Sequence, residues 1–305
     1  MNVPVIPAWS YAGDQEVMTM KNNLKTVVLL GLLSGLIIGV GALIGGRSGA
    51  TLALVFAGVM NLASYWFSDK IALKMSRARP VSRSEAPDLY AIIENLAQQA
   101  GMPMPSVHIM PSEQPNAFAT GRNPQHAAVA VTEGILRILT RDELEGVLAH
   151  ELGHVRNRDI LISSVAATIA AAISWLAFMA RWGMFFGGGD DDDNPLGFVG
   201  VLLAAILAPI AAVIVQFAIS RAREYEADRS GAHLSGRPES LASALRKIDA
   251  VARQVPMAVN PSAAPMFIVN PLRGRAAAGL FMRIFSTHPP TEDRVRRLEQ
   301  LVGRV

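Results

Sequence analysis

His150 and His154 stand four residues apart in the run His150-Glu151-Leu152-Gly153-His154. Imidazole and carboxylate are ligands for zinc-like ions, and residues i and i+4 of a helix share one face, so both rings can hold a single ion. Glu151 lies about 100° further round the same helix. From there it can take a proton from water beside the ion rather than bind the ion itself. A hydrolytic site of this kind needs a third protein ligand and a fourth position open to water. The stretch 220–228 offers Glu224 and Asp228, again four apart. Glu224 is read as the third ligand and Asp228 as the carboxylate that fixes a ligand imidazole; Glu226 is a rival for the ligand place. The chain has no cysteine, which rules out thiolate ligands and disulfides. One zinc ion per chain is the expectation from these ligand types.

These residues need elements to hold them. Thr140, with Glu143 three residues on, reads as a capped helix start, and Leu144, Val147, Leu148 and Leu152 follow at helical spacing. Residues 84–100 read as an amphipathic helix with Pro87 in its first turn and Gly101 as its stop. Residues 107–110, 117–120 and 127–132 read as short strands divided by proline and glycine signals. They predict a small sheet ahead of the metal-binding helix, in a mostly helical α+β fold. His108, His126 and His233 have no partner pattern and are read as structural or surface residues.

The wider composition is that of a membrane protein: 305 residues, 51% hydrophobic and 17% charged, with mean hydropathy +0.30. Apolar runs at 27–44, 50–67, 160–180 and 199–219 each suffice to cross roughly 27–30 Å of hydrocarbon. A short glycine-rich turn at 45–49 joins the first two, and the last two flank a solvated loop with Asp190 to Asp193, so four transmembrane helices in two hairpins are expected. Net charge is only +3, and the basic residues flank apolar runs, which gives orientation and no sign of nucleic-acid binding. Lys21, Lys25, Lys70, Lys74, Arg221 and Arg223 fall on the side richer in basic residues, and Arg47 and Arg181 on the other. Both termini and the candidate site are therefore expected in the cytoplasm. The organisation so predicted is an N-terminal stretch over 1–19 that is either a disordered extension or a misassigned start, with translation beginning naturally at Met20; a hairpin over 20–69; a first catalytic part over 70–159; a second hairpin over 160–219; and a second catalytic part over 220–305. His154 and Glu224 then each lie about 8 to 9 Å beyond the membrane boundary, and the second hairpin returns the third ligand to the first two.

The chain resembles the HtpX-type membrane zinc metalloproteases, relatives of the CAAX prenyl endoproteases. The resemblance rests on Asn116 to Gly121, the His150–His154 run, Glu224 to Asp228, and Thr287-His288-Pro289-Pro290 with Arg294. It implies a zincin-type metallopeptidase domain in a bacterial inner membrane, cleaving misfolded or damaged membrane proteins under stress. Its partners would be polypeptide or membrane-protein substrates, the chain itself in self-cleavage, and the lipid bilayer. It also implies that His288 and Arg294 join Glu151 in catalysis as oxyanion donors, and that Asn116, Ala117, Phe118 and Ala119 form an edge strand that pairs with substrate. Processing of prenylated C-termini, or a non-enzymatic membrane scaffold, are the competing functions.

Overall fold

The computed structural model describes residues 8–157, 159–166, 221–255, 266–269 and 289–305. Its first helical element, α1 (Ala8–Met75), runs over 68 residues but cannot be straight. Gly46 has φ +57, and Asn61 Nδ2 donates to Ser34 Oγ at 2.8 Å. A straight helix would hold those two residues about 40 Å apart. The chain therefore folds back near Gly46, in a left-handed conformation that glycine adopts freely. The stretch expected to be a disordered extension is helical from Ala8 onward. Its last proline is Pro7, so no proline breaks the backbone ladder over 8–19.

Among the described residues one helical segment, Gly46–Met75, is long and apolar enough to cross a membrane, with a mean hydropathy of 1.5 and 11% of its most apolar window buried. A second apolar piece, Leu24–Gly39, is shorter. The expected third and fourth spans and the aspartate run lie outside the described residues, except for 160–166, which are helical.

Beyond α1 come β1 (Arg79–Pro80), α2 (Pro87–Gln99), β2 (Ser106–Met110), β3 (Ala117–Gly121), β4 (Ala127–Thr132) and the short α3 (Glu133–Ile138). Then come α4 (Arg141–Arg156), α5 (Arg221–Ser235), α6 (Pro238–Ala252) and α7 (Thr291–Glu299). The strands form one sheet in the order β1-β2-β4-β3. β2 and β4 are parallel, and β3 runs antiparallel to β4 with Ala117 opposite Val131 and Ala119 opposite Val129. β3 is thus an edge strand.

Side chains alternate across the sheet. Val107, Ile109, Ala117, Ala119, Val129 and Val131 face the main core, where α2, α4 and α6 contribute Ile93, Leu148, Leu152 and Leu245. Met110, Phe118 and Ala130 face the other way, onto Ala72 and Leu73 at the end of α1. α4 begins as its sequence predicts: the Thr140 side chain accepts from the Glu143 amide while the Glu143 carboxylate accepts from the Thr140 amide. The fold is mostly helical α+β, with α4 between the edge strand and α5.

Candidate metal centre

α4 carries His150, Glu151 and His154 into the interior, where the first two are fully enclosed. α5 lies against it so closely that a methyl group on Gly231 would come within 2.7 Å of the His150 amide nitrogen. Gly231, Asp228 and Glu224 lie at i, i+3 and i+7 reading back along α5, so the contact at Gly231 turns both carboxylates toward α4. His150 and His154 meet edge to face, 4.8 Å between ring centres. Glu224 Oε2 lies 4.0 Å from His150 Nε2, and Glu224 Oε1 lies 3.7 Å from His154 Nε2.

One potential ligand atom from each of the three lies within 4.8 Å of the others. Ligands about 2.0 to 2.1 Å from one tetrahedral ion sit about 3.4 Å from each other, so a small closing movement of these side chains would seat the ion. The donor set, two imidazoles and a carboxylate, fits zinc. Glu226 points elsewhere and pairs with Arg229 on the outer surface of α5.

Glu151 lines the same pocket. Its Oε2 accepts from the Ala119 amide at 2.8 Å, on the side of β3 that β4 leaves unpaired. Burial raises its pKa to about 7, the range suited to a group that takes and returns a proton near neutrality.

The two imidazoles are backed alike. His150 Nδ1 is 2.9 Å from Asp228 Oδ1, and Arg294 grips Asp228 with Nε at 2.8 Å and Nη2 at 2.6 Å. Burial opposes ionisation of Asp228, but Arg294 outweighs it and holds the carboxyl at about 2. His154 Nδ1 is 3.1 Å from Asp159 Oδ2, which accepts from Arg223 Nε at 3.0 Å. Burial draws the His154 pKa down, yet Asp159 overrides it and lifts it to about 9. A carboxylate on each Nδ1 fixes the tautomer with the proton there, leaving Nε2 directed toward the Glu224 side.

Asp159 and Arg223 escaped the sequence reading. Asp159 lies past the end of α4, outside the helical spacing, and Arg223 was one more charge flanking an apolar run. The available signal was an ionisable residue immediately before the apolar stretch at 160, where an unpaired charge would be costly.

Of the remaining predicted residues, Asn116, just ahead of β3, and Ala117, Phe118 and Ala119 within it lie beside the site and are all buried. Arg294, in the first turn of α7, is 2% exposed, and besides Asp228 it donates through Nη1 to the Ile268 carbonyl at 3.1 Å. His288 lies outside the described residues. His108 sits in β2, hydrogen-bonded to Ser106, while His126 bonds Asn123 at a turn.

A His-Glu-x-x-His helix, a third carboxylate from a following helix and an edge strand alongside define a metal-dependent peptidase. The model of peptidase family M48 matches residues 83–302, and the chain belongs to that family. It is 56% identical over 281 residues to a Protease HtpX homolog of Desulfatibacillum aliphaticivorans, covering 92% of this chain and 89% of that one. A Protease HtpX homolog of Pyrococcus furiosus is 54% identical over 278 residues, 91% and 95% of the two chains. The fold is similar to the crystal structure of Ste24p of S. mikatae, with TM-score 0.50 and 19% identity. That match covers 92% of this chain and 66% of the Ste24p chain, so this chain spans just under two thirds of it. The protein is a metalloprotease, a hydrolase acting on polypeptides.

Proposed function

We propose that the chain is an integral-membrane zinc endopeptidase whose site opens at the cytoplasmic face of a bacterial inner membrane, where it cleaves misfolded or damaged membrane proteins. The observation that carries the chemistry is the joining of His150, His154 and Glu224 with Glu151, itself held by the edge-strand amide of Ala119.

His150, His154 and Glu224 hold the zinc ion in this reading. Bound there, zinc supplies a Lewis acid that polarises a peptide carbonyl and makes water acidic enough to lose a proton near neutral pH. Glu151 accepts that proton as water adds to the carbonyl carbon, then delivers it to the departing amine nitrogen. β3 aligns the substrate through backbone hydrogen bonds, which read little of its sequence. Arg294 acts by orienting Asp228 and, through it, His150; His288 is proposed as the further donor to the oxyanion.

The membrane reading draws on the exposed apolar surface of α1. Leu52 is 74% exposed, and Val55, Phe56, Val59 and Leu62 are exposed with it, a surface suited to lipid rather than water. The four-span arrangement in two hairpins, with both termini cytoplasmic, follows the apolar runs and their basic flanks.

The test is zinc-triggered cleavage of a membrane-protein substrate by metal-free protein in detergent, wild type against Glu151→Gln. Cleavage by the wild type alone, with one zinc bound in both, is the expected result. Equal cleavage in the presence of a chelator would overturn the assignment.

A further inference from the structure

The outer edge of β3 is already occupied. Met266–Val269 is a bent, irregular run, yet it lies along β3 in the opposite sense. The Ile268 amide donates to the Ala117 carbonyl at 3.0 Å. The Asn116 carboxamide donates to the Val269 carbonyl at 2.8 Å and accepts from its amide at 3.4 Å. Phe267 meets Phe118 edge to face, 5.2 Å between ring centres. Residues 267, 268 and 269 therefore stand opposite 118, 117 and 116. Arg294 donates to the Ile268 carbonyl, and Met266, Phe267 and Ile268 line the pocket that holds His150, Glu151 and Glu224. The Phe267 ring is wholly buried among Met110, Phe118, Ala130 and the end of α1.

From this we infer that Met266–Val269 is a built-in stand-in for substrate. It occupies the Ala117 carbonyl, the Asn116 carboxamide and the Nη1 donor of Arg294, groups that an incoming polypeptide would use, and it keeps the enzyme latent until displaced. The apolar socket under Phe267 is then a specificity pocket, taking a large apolar side chain of the displacing chain. This rests on the peptidase reading above. Its physical basis is competition: one set of backbone donors and acceptors pairs with one extended segment at a time.

The experiment compares zinc-loaded, full-length wild type with Phe267→Ala. A buried phenylalanine holds its segment strongly, so its removal should lower KM for a phenylalanine-containing peptide at least about tenfold while kcat holds. An unchanged or raised KM in folded, zinc-bound variant would make the segment a fixed wall of the site and overturn the proposal.

A second measurement needs no turnover. In Glu151→Gln protein, a hexapeptide centred on phenylalanine should speed amide hydrogen exchange in residues 266–269, and the same peptide centred on aspartate should not. Peptide binding that leaves that exchange unchanged overturns the inference even if Phe267→Ala fails to fold. Absence of cleavage by zinc-loaded wild type and variant alike, with exchange still accelerated by the phenylalanine peptide, would instead count against the peptidase reading and leave the displacement standing.

Discussion

Each metal-facing imidazole leans on an aspartate, and each aspartate on an arginine: His150, Asp228, Arg294 on one side and His154, Asp159, Arg223 on the other. The carboxylates are desolvated, so their charge is tolerable only because the guanidiniums neutralise it. Asp159→Asn keeps the shape but removes the charge that fixes the His154 proton on Nδ1. Zinc affinity should fall about 10- to 100-fold, read by competition with a chromophoric chelator, with helical content unchanged by circular dichroism. Away from the metal, Glu143 is held by Thr140 at the start of α4 and by Ser243 and Lys247 of α6. Burial pushes its pKa up, but these partners prevail and set it at about 2 against an ordinary 4.5. The folded value is the lower one, so its contribution is complete above about pH 4.5 and fades as pH falls toward 2. Glu143→Gln should cost on the order of 2 kcal/mol at neutral pH and flatten that part of the acid-side decline, measured by thermal unfolding across pH.

Helix packing decides whether the ligands meet. The approach of α5 to α4 is set where Gly231 rests on the His150 backbone, and a methyl there would overlap main-chain atoms that cannot swing aside. Gly231→Ala should destabilise the protein by about 1 to 3 kcal/mol. It should also move Glu224 and Asp228 outward together, so bound zinc per chain falls alongside activity. This contact was invisible in the sequence, where Gly231 is an ordinary small residue in a helix. What was legible had local causes. The Thr140–Glu143 cap is written in two side chains, the strands in short runs divided by proline and glycine, and the ligand pair in a spacing of four. β1, only two residues long and ending in Pro80, has no such signature, because its pairing with β2 is dictated by the partner strand. The backing pair Asp159 and Arg223 joins residues 64 positions apart, a proximity that only the assembled fold creates.

At the scale of the whole molecule, α1 joins two environments in the proposed membrane arrangement. Its segment Gly46–Met75 is about 45 Å long, enough to traverse the hydrocarbon and still insert Ala72 and Leu73 under the sheet. Near the boundary between those regions Trp66 lies under the Arg122 guanidinium, 4.6 Å away, just past the end of β3. Thr120 of β3 also hydrogen-bonds Ser164 in the helical residues 160–166. In the proposed membrane arrangement the Gly121 end of the edge strand is therefore its membrane-proximal end, and the Asn116 end points away. A reporter carrying an accessible stretch after a single transmembrane span should be cut faster than one carrying the same stretch before it, scored by gel analysis of the two fusions in vesicles. The reason is the opposed sense in which Met266–Val269 lies on β3. A chain bound in that sense has its N-terminal side toward the bilayer and its C-terminal side in open water. On that proposal the enzyme would have a handedness of traffic: it would trim tails and leave anchored stubs, so clearing a whole membrane protein would fall to a second protease able to begin where this one stops.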